Sequence, residues 1–220
     1  MRIGHHPEEA TVIAYAAGTL DEPLAVAVAS HLAWCGACRR VVRVGEAIGG
    51  ALLDSMEETP LRDDALARAM GRLDAAVAAG VRTEPGGVDS DGLGLPYPLA
   101  SRLGVPLDHL RWRRRGRGIA VHALPLSANA PGRLLLVRGV AGTRMPAHGH
   151  EGAEITVVLR GAYRDAFGRF AMGDVAELGE DAEHAPVVEP GEDCICLVAT
   201  EGRLRFGNPL LRLLRPILGV

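Results

Sequence analysis

The hydrophobic and polar positions of this chain follow two different periodicities, which change near residue 80. Before that point, apolar residues recur every three or four positions, the spacing that places them on one face of an α-helix. Beyond about residue 100, short apolar runs alternate with Gly, Pro and Asn, as short β-strands do. The chain is therefore expected to combine a helical unit with a β-rich unit.

Three helices are predicted before residue 57. The first covers residues 7–20, where a proline and two glutamates open a helix and Gly18 stands near its end. The second runs from about Glu22 to Trp34, and the third continues to Met56. Because the glycines of the third helix each cost about 0.5–1 kcal/mol relative to alanine, that helix requires packing against another element.

A fourth helix is predicted after Thr59-Pro60, a good N-cap and first helical position, with Asp63 and Asp64 in its first turn. Its apolar positions fall on one stripe, which comprises Leu61, Ala65, Leu66, Ala69, Met70, Leu73 and Val77. The sequence leaves open what covers this stripe: the other helices, the C-terminal half or a second protein.

Residues 81–100 lose the helical periodicity and are rich in Gly, Pro, Asp and Ser, which is typical of a linker. We therefore predict domains at residues 1–80 and 101–220. The second domain contains runs of strand length, which are GIAVHAL, RLLLVRGV, EITVVLRGAY, DVAEL, DCICLVAT and RLRFG. Many short strands predict an antiparallel sandwich or barrel, so the fold class is α+β. The final LLRLLRPILGV fits either a short helix or a last strand.

The clearest chemical signal in the helical part is the array His31-x3-Cys35-x2-Cys38. On a helix these positions fall within roughly 60° of one another, so all three side chains could face one ion. Imidazole and thiolate are the usual ligands of structural zinc, which takes four of them. The fourth ligand is sought at the start of the chain, where His6 is preferred and His5 is its competitor.

Composition and charge narrow the functional class. The 220 residues are 48% hydrophobic and 23% charged with a net charge of -3, which is typical of a globular protein rather than a general nucleic-acid binder. Residues 1–80 contain 7 Arg and 11 Asp or Glu, which favours a basic partner over DNA. No signal segment or membrane span is evident, so a soluble cytoplasmic protein is expected. In a reducing compartment, two close cysteine pairs suggest metal or redox chemistry.

A second constellation of possible metal ligands lies in the β-rich part, where G-x5-H-x-H-x3-E-x6-G spans residues 142–161. On a strand, His148, His150 and Glu154 point to the same face. His184 follows eleven residues after Gly173. Three imidazoles and one carboxylate suit zinc, iron, manganese, nickel or copper, and the sequence does not choose among them.

This spacing resembles the two motifs of the cupins, and the first motif is matched at every fixed position. The second motif is a looser match, because the proline that commonly precedes its closing glycine is replaced by apolar residues near Phe170. The H-x3-C-x2-C array, the upstream histidine, YAAGTL, the cupin motif and DCICLVAT occur in an order that resembles the ChrR-type zinc-binding anti-sigma factors. The resemblance extends over nearly the whole chain.

The resemblance implies a helical domain that binds an extracytoplasmic-function sigma factor and keeps it from RNA polymerase. It also implies a cupin domain that is needed to release the sigma factor under singlet oxygen or related oxidants. The implied ligands of the N-terminal zinc are His6, His31, Cys35 and Cys38. The implied cupin ligands, for zinc or another divalent transition metal, are His148, His150, Glu154 and His184.

Two alternative functions are compatible with parts of the sequence. A metal-dependent cupin enzyme, such as a dioxygenase or isomerase, could carry the helical part as an appendage. A DNA-binding zinc protein conflicts with the acidic first domain, and the basic run at 111–117 is more typical of a solvated strand edge. Cys194 and Cys196 alternate on a strand, where they are either small buried side chains or neighbours of the cupin metal.

Overall fold

The structure is a computed structural model that describes residues 3–79, 95–202 and 204–206. Its helices are α1 (Glu9–Ala16), α2 (Glu22–Trp34), α3 (Gly36–Asp54), α4 (Ala65–Ala78) and α5 (Tyr97–Leu103), and a single 3-10 turn follows at Leu107–His109. The four helices predicted in the first part are therefore present. None of the described helices is long and apolar enough to cross a bilayer.

Helix α4 begins at Ala65 rather than at Pro60, so its predicted start was wrong. Asp64 occupies the N-cap position, but its carboxylate makes no capping hydrogen bond and lies 3.0 Å from Nε of Arg62. The amide of Ala65 donates to the carbonyl of Arg62 over 2.9 Å, which forms a turn before the helix. The carboxylate of Asp64, which was predicted to lie in the first turn of the helix, thus pairs with Arg62 just before the helix instead.

Most of the predicted linker, residues 81–94, lies outside the described residues. Residues 97–100 belong to α5, which packs against α2. A guanidinium nitrogen of Arg102 in α5 donates to the carboxylate of Glu22 in α2 over 2.8 Å. The end of the predicted linker is therefore attached to the helical part, and the division into two domains stays a prediction.

The β-rich part contains twelve described strands, and all their pairings are antiparallel. They are β1 (Arg113–Gly116), β2 (Ile119–Ala123), β3 (Arg133–Gly139), β4 (His148–His150), β5 (Glu154–Arg160), β6 (Ala162–Asp165), β7 (Gly168–Ala171), β8 (Val175–Leu178), β9 (Glu183–His184), β10 (Val187–Val188), β11 (Cys194–Thr200) and β12 (Leu204–Phe206). The sheets have the orders β1-β2-β3-β11-β5-β8, β10-β6-β7 and β12-β4-β9. The predicted α+β class is confirmed; the final segment at 210–220 lies outside the described residues.

The central strands of the six-stranded sheet are buried on both faces. In β11, Ile195, Leu197 and Ala199 belong to the core shared with the helices, whereas Cys194 and Cys196 face the interior of the β-rich part. Helix α2 packs directly on β5 and β11. Burial on both faces explains why these strands read as nearly continuous apolar runs rather than alternating ones. The helical and β-rich parts therefore share one apolar core.

The start of the chain lies along β8, at the edge of the six-stranded sheet. The amides of Gly4 and His5 donate to Oδ1 of Asp174 over 2.7 and 3.0 Å. In return, the amide of Val175 donates to the carbonyl of His5 over 3.2 Å. The amide of Glu8 donates to the carboxylate of Glu177 over 2.8 Å. Residues 3–8, which we call the N-terminal segment, are thus held by the β-rich part before the first helix begins.

Helices α3 and α4 leave apolar side chains uncovered among the described residues. Helix α4 has no buried residue, and Leu66, Met70, Leu73 and Val77 along its stripe are 75%, 50%, 59% and 78% exposed. On α3, Val44, Ile48 and Leu52 are also exposed. We call these seven side chains the exposed stripe. The sequence left open whether other helices, the C-terminal half or a second protein covers the apolar face of α4. No described helix or strand covers it.

Gly142 and Gly161, the first and last glycines of the cupin motif, provide a matched test of backbone crowding. Both have positive φ, 76° and 70°, which costs a residue with a Cβ about 1–2 kcal/mol. A Cβ at Gly161 would also lie 2.6 Å from the carbonyl oxygen of Asp193, whereas no described atom lies within 4 Å at Gly142. We expect Gly161→Ala to lower the free energy of unfolding by more than Gly142→Ala, measured by urea titration with circular dichroism. Equal losses would contradict the close approach at Gly161.

Candidate metal centres

The structure brings His6, His31, Cys35 and Cys38 into one cluster, in which the four potential ligand atoms lie within 4.8 Å of one another. Nε2 of His31 lies 3.3 Å from Sγ of Cys38. Nδ1 of His6 lies 3.3 Å from Sγ of Cys35 and 3.5 Å from Sγ of Cys38. A tetrahedral zinc ion, with bonds of ~2.0–2.1 Å to nitrogen and ~2.3 Å to sulfur, separates its ligand atoms by about 3.4–3.8 Å. The cluster therefore fits zinc in both donor type and spacing.

The spacing argument placed His31, Cys35 and Cys38 on one helix. In the structure they are divided between two helices and the residue that joins them. The chain leaves α2 after Trp34, and Cys35 is extended, with φ -97° and ψ 102°. Helix α3 then begins at Gly36, and the amide of Cys38 donates to Sγ of Cys35 over 3.4 Å. The three side chains meet at the corner between two helices. A zinc ion there would fix the angle between α2 and α3.

Hydrogen bonding and burial prepare His31 as a ligand. Its Nδ1 lies 2.9 Å from the carbonyl oxygen of Gly173, and because a carbonyl only accepts, Nδ1 carries the proton. The unprotonated Nε2 then faces the cluster, as is usual for metal-binding histidines. Burial lowers the pKa of His31 to about 4, which keeps the ring neutral. Burial also raises the pKa of Cys38 to about 12, so its thiolate form requires a nearby cation.

The two histidines at the start of the chain have different surroundings. His6 reaches the cluster, while its side chain stays exposed to solvent. His5 turns the other way, where its Nδ1 lies 3.6 Å from Oδ2 of Asp174 and its ring centroid lies 4.5 Å from that of Phe170. Of the two competitors for the fourth ligand, the geometry favours His6.

A second cluster lies inside the β-rich part and contains the buried histidines His148, His150 and His184. Strands β4 and β9 pair so that His148 and His184 are direct cross-strand partners. Their Nε2 atoms lie 3.1 Å apart. Two strands that are distant in sequence thus deliver the imidazoles to one point.

The hydrogen bonds of these histidines leave two acceptor nitrogens facing each other. Nδ1 of His148 donates to the carbonyl of Pro146 over 2.8 Å, and Nδ1 of His184 donates to the carboxylate of Asp165 over 3.0 Å. Both Nε2 atoms are then unprotonated, so their close approach requires a shared cation or proton. Nε2 of His150 is buried and has no hydrogen-bond partner among the described residues, and its Nδ1 is close only to the carboxylate of Glu154. The residues present therefore fit a transition-metal site.

Glu154, the predicted fourth ligand, is buried beside this cluster but is not one of the mutually close ligand atoms. Its Oε2 lies 3.1 Å from Nδ1 of His150, and its Oε1 accepts a hydrogen bond from Thr156 over 3.1 Å. Burial alone would raise the pKa of Glu154, but His150 and the other two histidines hold it below its ordinary value. The lowered pKa favours the ionised carboxylate. Its contact with the histidine cluster is made to the ring of His150.

Cys194 and Cys196 combine the two possibilities that the sequence left open. Both are buried small side chains with their Sγ atoms 3.6 Å apart. Both also line the same internal cavity as His148 and His184. The hydrogen bond with Cys194, together with burial, raises the pKa of Cys196, which favours its thiol form.

Comparison with known proteins agrees with this geometry. Residues 100–203 match the family described as the ChrR cupin-like domain, and residues 10–39 match a family of putative zinc fingers. Anti-sigma-E factor ChrR of Cereibacter sphaeroides is 40% identical over 219 residues, which cover 98% of this chain and 98% of that protein. The chain belongs to the ChrR family of anti-sigma factors. The family resemblance inferred from the sequence is therefore confirmed.

A solved ChrR structure is similar over both parts of the chain. In the crystal structure of Rhodobacter sphaeroides SigE in complex with the anti-sigma ChrR, the matched chain has a TM-score of 0.77 and 37% identity. The match covers 90% of this chain and 99% of that one. The arrangement of helices on a cupin fold is thus shared with ChrR.

Sequence reasoning missed the groups that orient the two clusters. Asp165 holds His184, and the carbonyl of Gly173 holds His31, although neither residue resembles a ligand. Gly173 and Asp174 likewise provide acceptor groups that hold residues of the first part of the chain. Their acceptor groups contact residues that are more than a hundred positions away, and no local pattern indicates such contacts.

The adjacent histidines offer a matched test of the first cluster. We expect His6→Ala to weaken zinc binding by at least about tenfold, since even the hydrogen-bonding partners of ligands are worth 10–100-fold. His5→Ala should leave the zinc affinity within about twofold. Competition with a chromophoric chelator measures both variants, and mass spectrometry of bound metal checks the stoichiometry. An equal loss in the two variants would contradict the assignment of His6.

Proposed function

We propose that this chain is a cytoplasmic anti-sigma factor that binds an extracytoplasmic-function sigma factor, keeps it from RNA polymerase and releases it under oxidative stress. The observation that carries the proposal is the similarity to ChrR over almost the entire chain, because it spans both metal clusters. In its crystal structure, ChrR is bound to SigE. The chain acts by binding rather than by catalysis.

The exposed stripe on α3 and α4 is the proposed sigma-binding surface. Amphipathic helices bind partners by placing apolar side chains in a groove, and a few large side chains supply most of the affinity. Leu66, Met70 and Leu73 provide such side chains. The acidic balance of residues 1–80 favours a basic partner surface around them.

The first cluster is proposed to bind structural zinc through His6, His31, Cys35 and Cys38. The ion joins the N-terminal segment to the corner between α2 and α3, and so orients the helices that carry the exposed stripe. Its donor set is closed, with two thiolates and two imidazoles, which is typical of structural rather than catalytic zinc. The two thiols are therefore not the preferred oxidant sensors.

The second cluster is proposed to hold zinc or another divalent transition metal through His148, His150, His184 and Glu154. When bound, such an ion supplies a Lewis-acidic centre inside the cupin fold. The protein orients the histidines through Asp165 and the Pro146 carbonyl. The cupin domain, predicted at residues 101–220, is the proposed input for the oxidative signal.

A chain of direct contacts joins the two proposed sites. The ring of Tyr163, which lines the cupin cavity, stacks on Phe170 with centroids 5.1 Å apart. Phe170 contacts His5, and the next residue is the zinc ligand His6. A change of packing in the cupin interior that displaced Phe170 would therefore act on the N-terminal segment. Release requires only that the altered state binds the sigma factor less tightly than the resting state does.

Substitution in the exposed stripe tests the binding surface. We expect Leu73→Glu to weaken the complex with a purified sigma factor from the same organism by about thirtyfold, because a buried apolar anchor is typically worth about 2 kcal/mol or more. Ala75→Glu adds the same charge to another exposed position of α4, away from the stripe, and should change the affinity by less than about threefold. Isothermal titration calorimetry measures both, and equal affinities would contradict this surface.

Substitution at the second cluster tests the input. His184→Gln should remove one metal per chain and abolish release of the sigma factor on exposure to photogenerated singlet oxygen, while binding to the sigma factor remains within about threefold of wild type. His122→Gln, at a histidine outside both clusters, is the control. Release is followed by fluorescence anisotropy of labelled sigma factor. Normal release from a His184→Gln chain that lacks the metal would contradict the proposed input.

A further inference from the structure

The two edges of the six-stranded sheet differ in what covers them. At the β8 edge, the amide of Val175 donates to the carbonyl of His5 over 3.2 Å, so the N-terminal segment continues the sheet there. At the other edge, β1 pairs with β2 on one side, and no described segment pairs with its outer side. An edge strand directs alternate amide and carbonyl groups outward, where they are open to pairing with another backbone.

The β1 edge carries positive charge that the described residues do not neutralise. Arg111, Arg113, Arg114 and Arg117 are exposed, and none of their guanidinium groups forms an ion pair with a carboxylate of the described residues. Four arginines of other strands do pair with acids, which are Arg138 with Asp193, Arg160 with Asp108, and Arg164 and Arg169 with Glu189. We call the four exposed arginines, together with β1, the basic edge.

Contacts on the inner side of the basic edge hold its backbone in place. Nδ1 of His122 in β2 donates to the carbonyl of Arg111 over 3.1 Å, and the side chain of Trp112 packs against the buried core. Arg113 and Arg114 then pair with β2 in regular antiparallel register. Because this edge is already ordered, a strand that joins it does not bear the entropic cost of ordering β1.

Unpaired backbone groups and positive charge together select one kind of occupant. Arg113 and Arg114 are consecutive, so their side chains project to opposite faces of the sheet. A peptide strand beside β1 places acidic side chains next to both of them if consecutive residues of the peptide are acidic. A second copy of the basic edge would place arginines opposite arginines, which is destabilising. A nucleic acid would neutralise the charge but lacks the peptide backbone that pairs with β1.

We propose that the basic edge is a docking site for an extended acidic segment of a partner protein, which adds to the six-stranded sheet beyond β1. The backbone of that segment pairs with the outward-facing groups of β1, and its consecutive carboxylates contact Arg113 and Arg114. The N-terminal segment covers the opposite edge from within the chain. The docking site lies outside both metal clusters and goes beyond the proposed anti-sigma function, on which it does not rest.

Fluorescence anisotropy of a labelled peptide, EEVEEVEE, tests the proposal on the full-length chain with its metals as purified. The first control is the same peptide with N-methylated central amides, which keeps the charge but cannot donate backbone hydrogen bonds. The second is a single-stranded oligothymidylate of equal negative charge. We expect saturable binding of the peptide, and binding of both controls weaker by about tenfold or more. Absence of saturable peptide binding, or a control that binds as tightly as the peptide, would overturn the proposal.

Substitution of the two consecutive arginines tests the charge contribution. Arg113→Gln combined with Arg114→Gln should weaken peptide binding by about five- to tenfold, because two cross-strand ion pairs are lost. Arg113→Lys combined with Arg114→Lys keeps the charge and should stay within about twofold of wild type. Arg43→Gln combined with Arg72→Gln removes the same charge from exposed positions of α3 and α4 and should also stay within about twofold. Wild-type affinity in the first double variant would overturn the proposal.

Amide hydrogen exchange locates the bound peptide on the wild-type chain. Exchange in β1 should slow when the peptide is present, because outward-facing amides become hydrogen-bonded. Exchange in β8, whose edge the N-terminal segment already covers, should not change. Unchanged exchange in β1 at saturating peptide would place the peptide elsewhere and overturn the proposal. No readout involves the sigma factor or a metal, so failure of the docking site and failure of the anti-sigma function are distinguishable.

Discussion

The turn formed by Gly173 and Asp174 provides the hydrogen bonds on which the arrangement of the two parts depends. The carboxylate of Asp174 accepts from the amides of Gly4, His5 and Ala171, and the carbonyl of Gly173 accepts from the ring of His31. Hydrogen bonds to a charged acceptor are among the stronger ones in proteins, worth about 1.5–3 kcal/mol each. One turn of the cupin fold thus sets the position of two residues of the first cluster, His6 through its neighbour and His31 directly.

The apolar contact between α2 and the six-stranded sheet complements these hydrogen bonds. Val28 on α2 and Leu197 on β11 are fully buried in the core that both parts share. Removing the β-rich part would expose the covered face of α2 to water. This exposure costs a free energy of roughly 25 cal/mol per Å² of apolar surface. The helical part is therefore packed against the β-rich part through one continuous apolar core.

The sequence predicted those features that depend on residues close together in the chain. The helices, most strands and the H-x3-C-x2-C array follow from local periodicity and spacing, and the motif at 142–161 indicated the second cluster. Features that depend on distant contacts were not predictable in the same way. The choice of His6 over His5 depends on which way the N-terminal segment turns along β8, and the start of α4 depends on an arginine that pairs with Asp64. Gly161, which has a φ of 70°, interrupts the predicted run EITVVLRGAY between β5 and β6.

The exposure of His6 makes the first cluster asymmetric, because one of its four donors faces solvent and the other three are buried. His31, Cys35 and Cys38 are buried at the corner between α2 and α3, whereas His6 is open to solvent and belongs to the N-terminal segment. Loss of a bound ion would then be a stepwise event that begins at this one donor, with three donors still in place and able to recapture the ion. The lifetime of the metal in the protein would accordingly be set by the edge of β8 more than by the strength of the thiolate bonds.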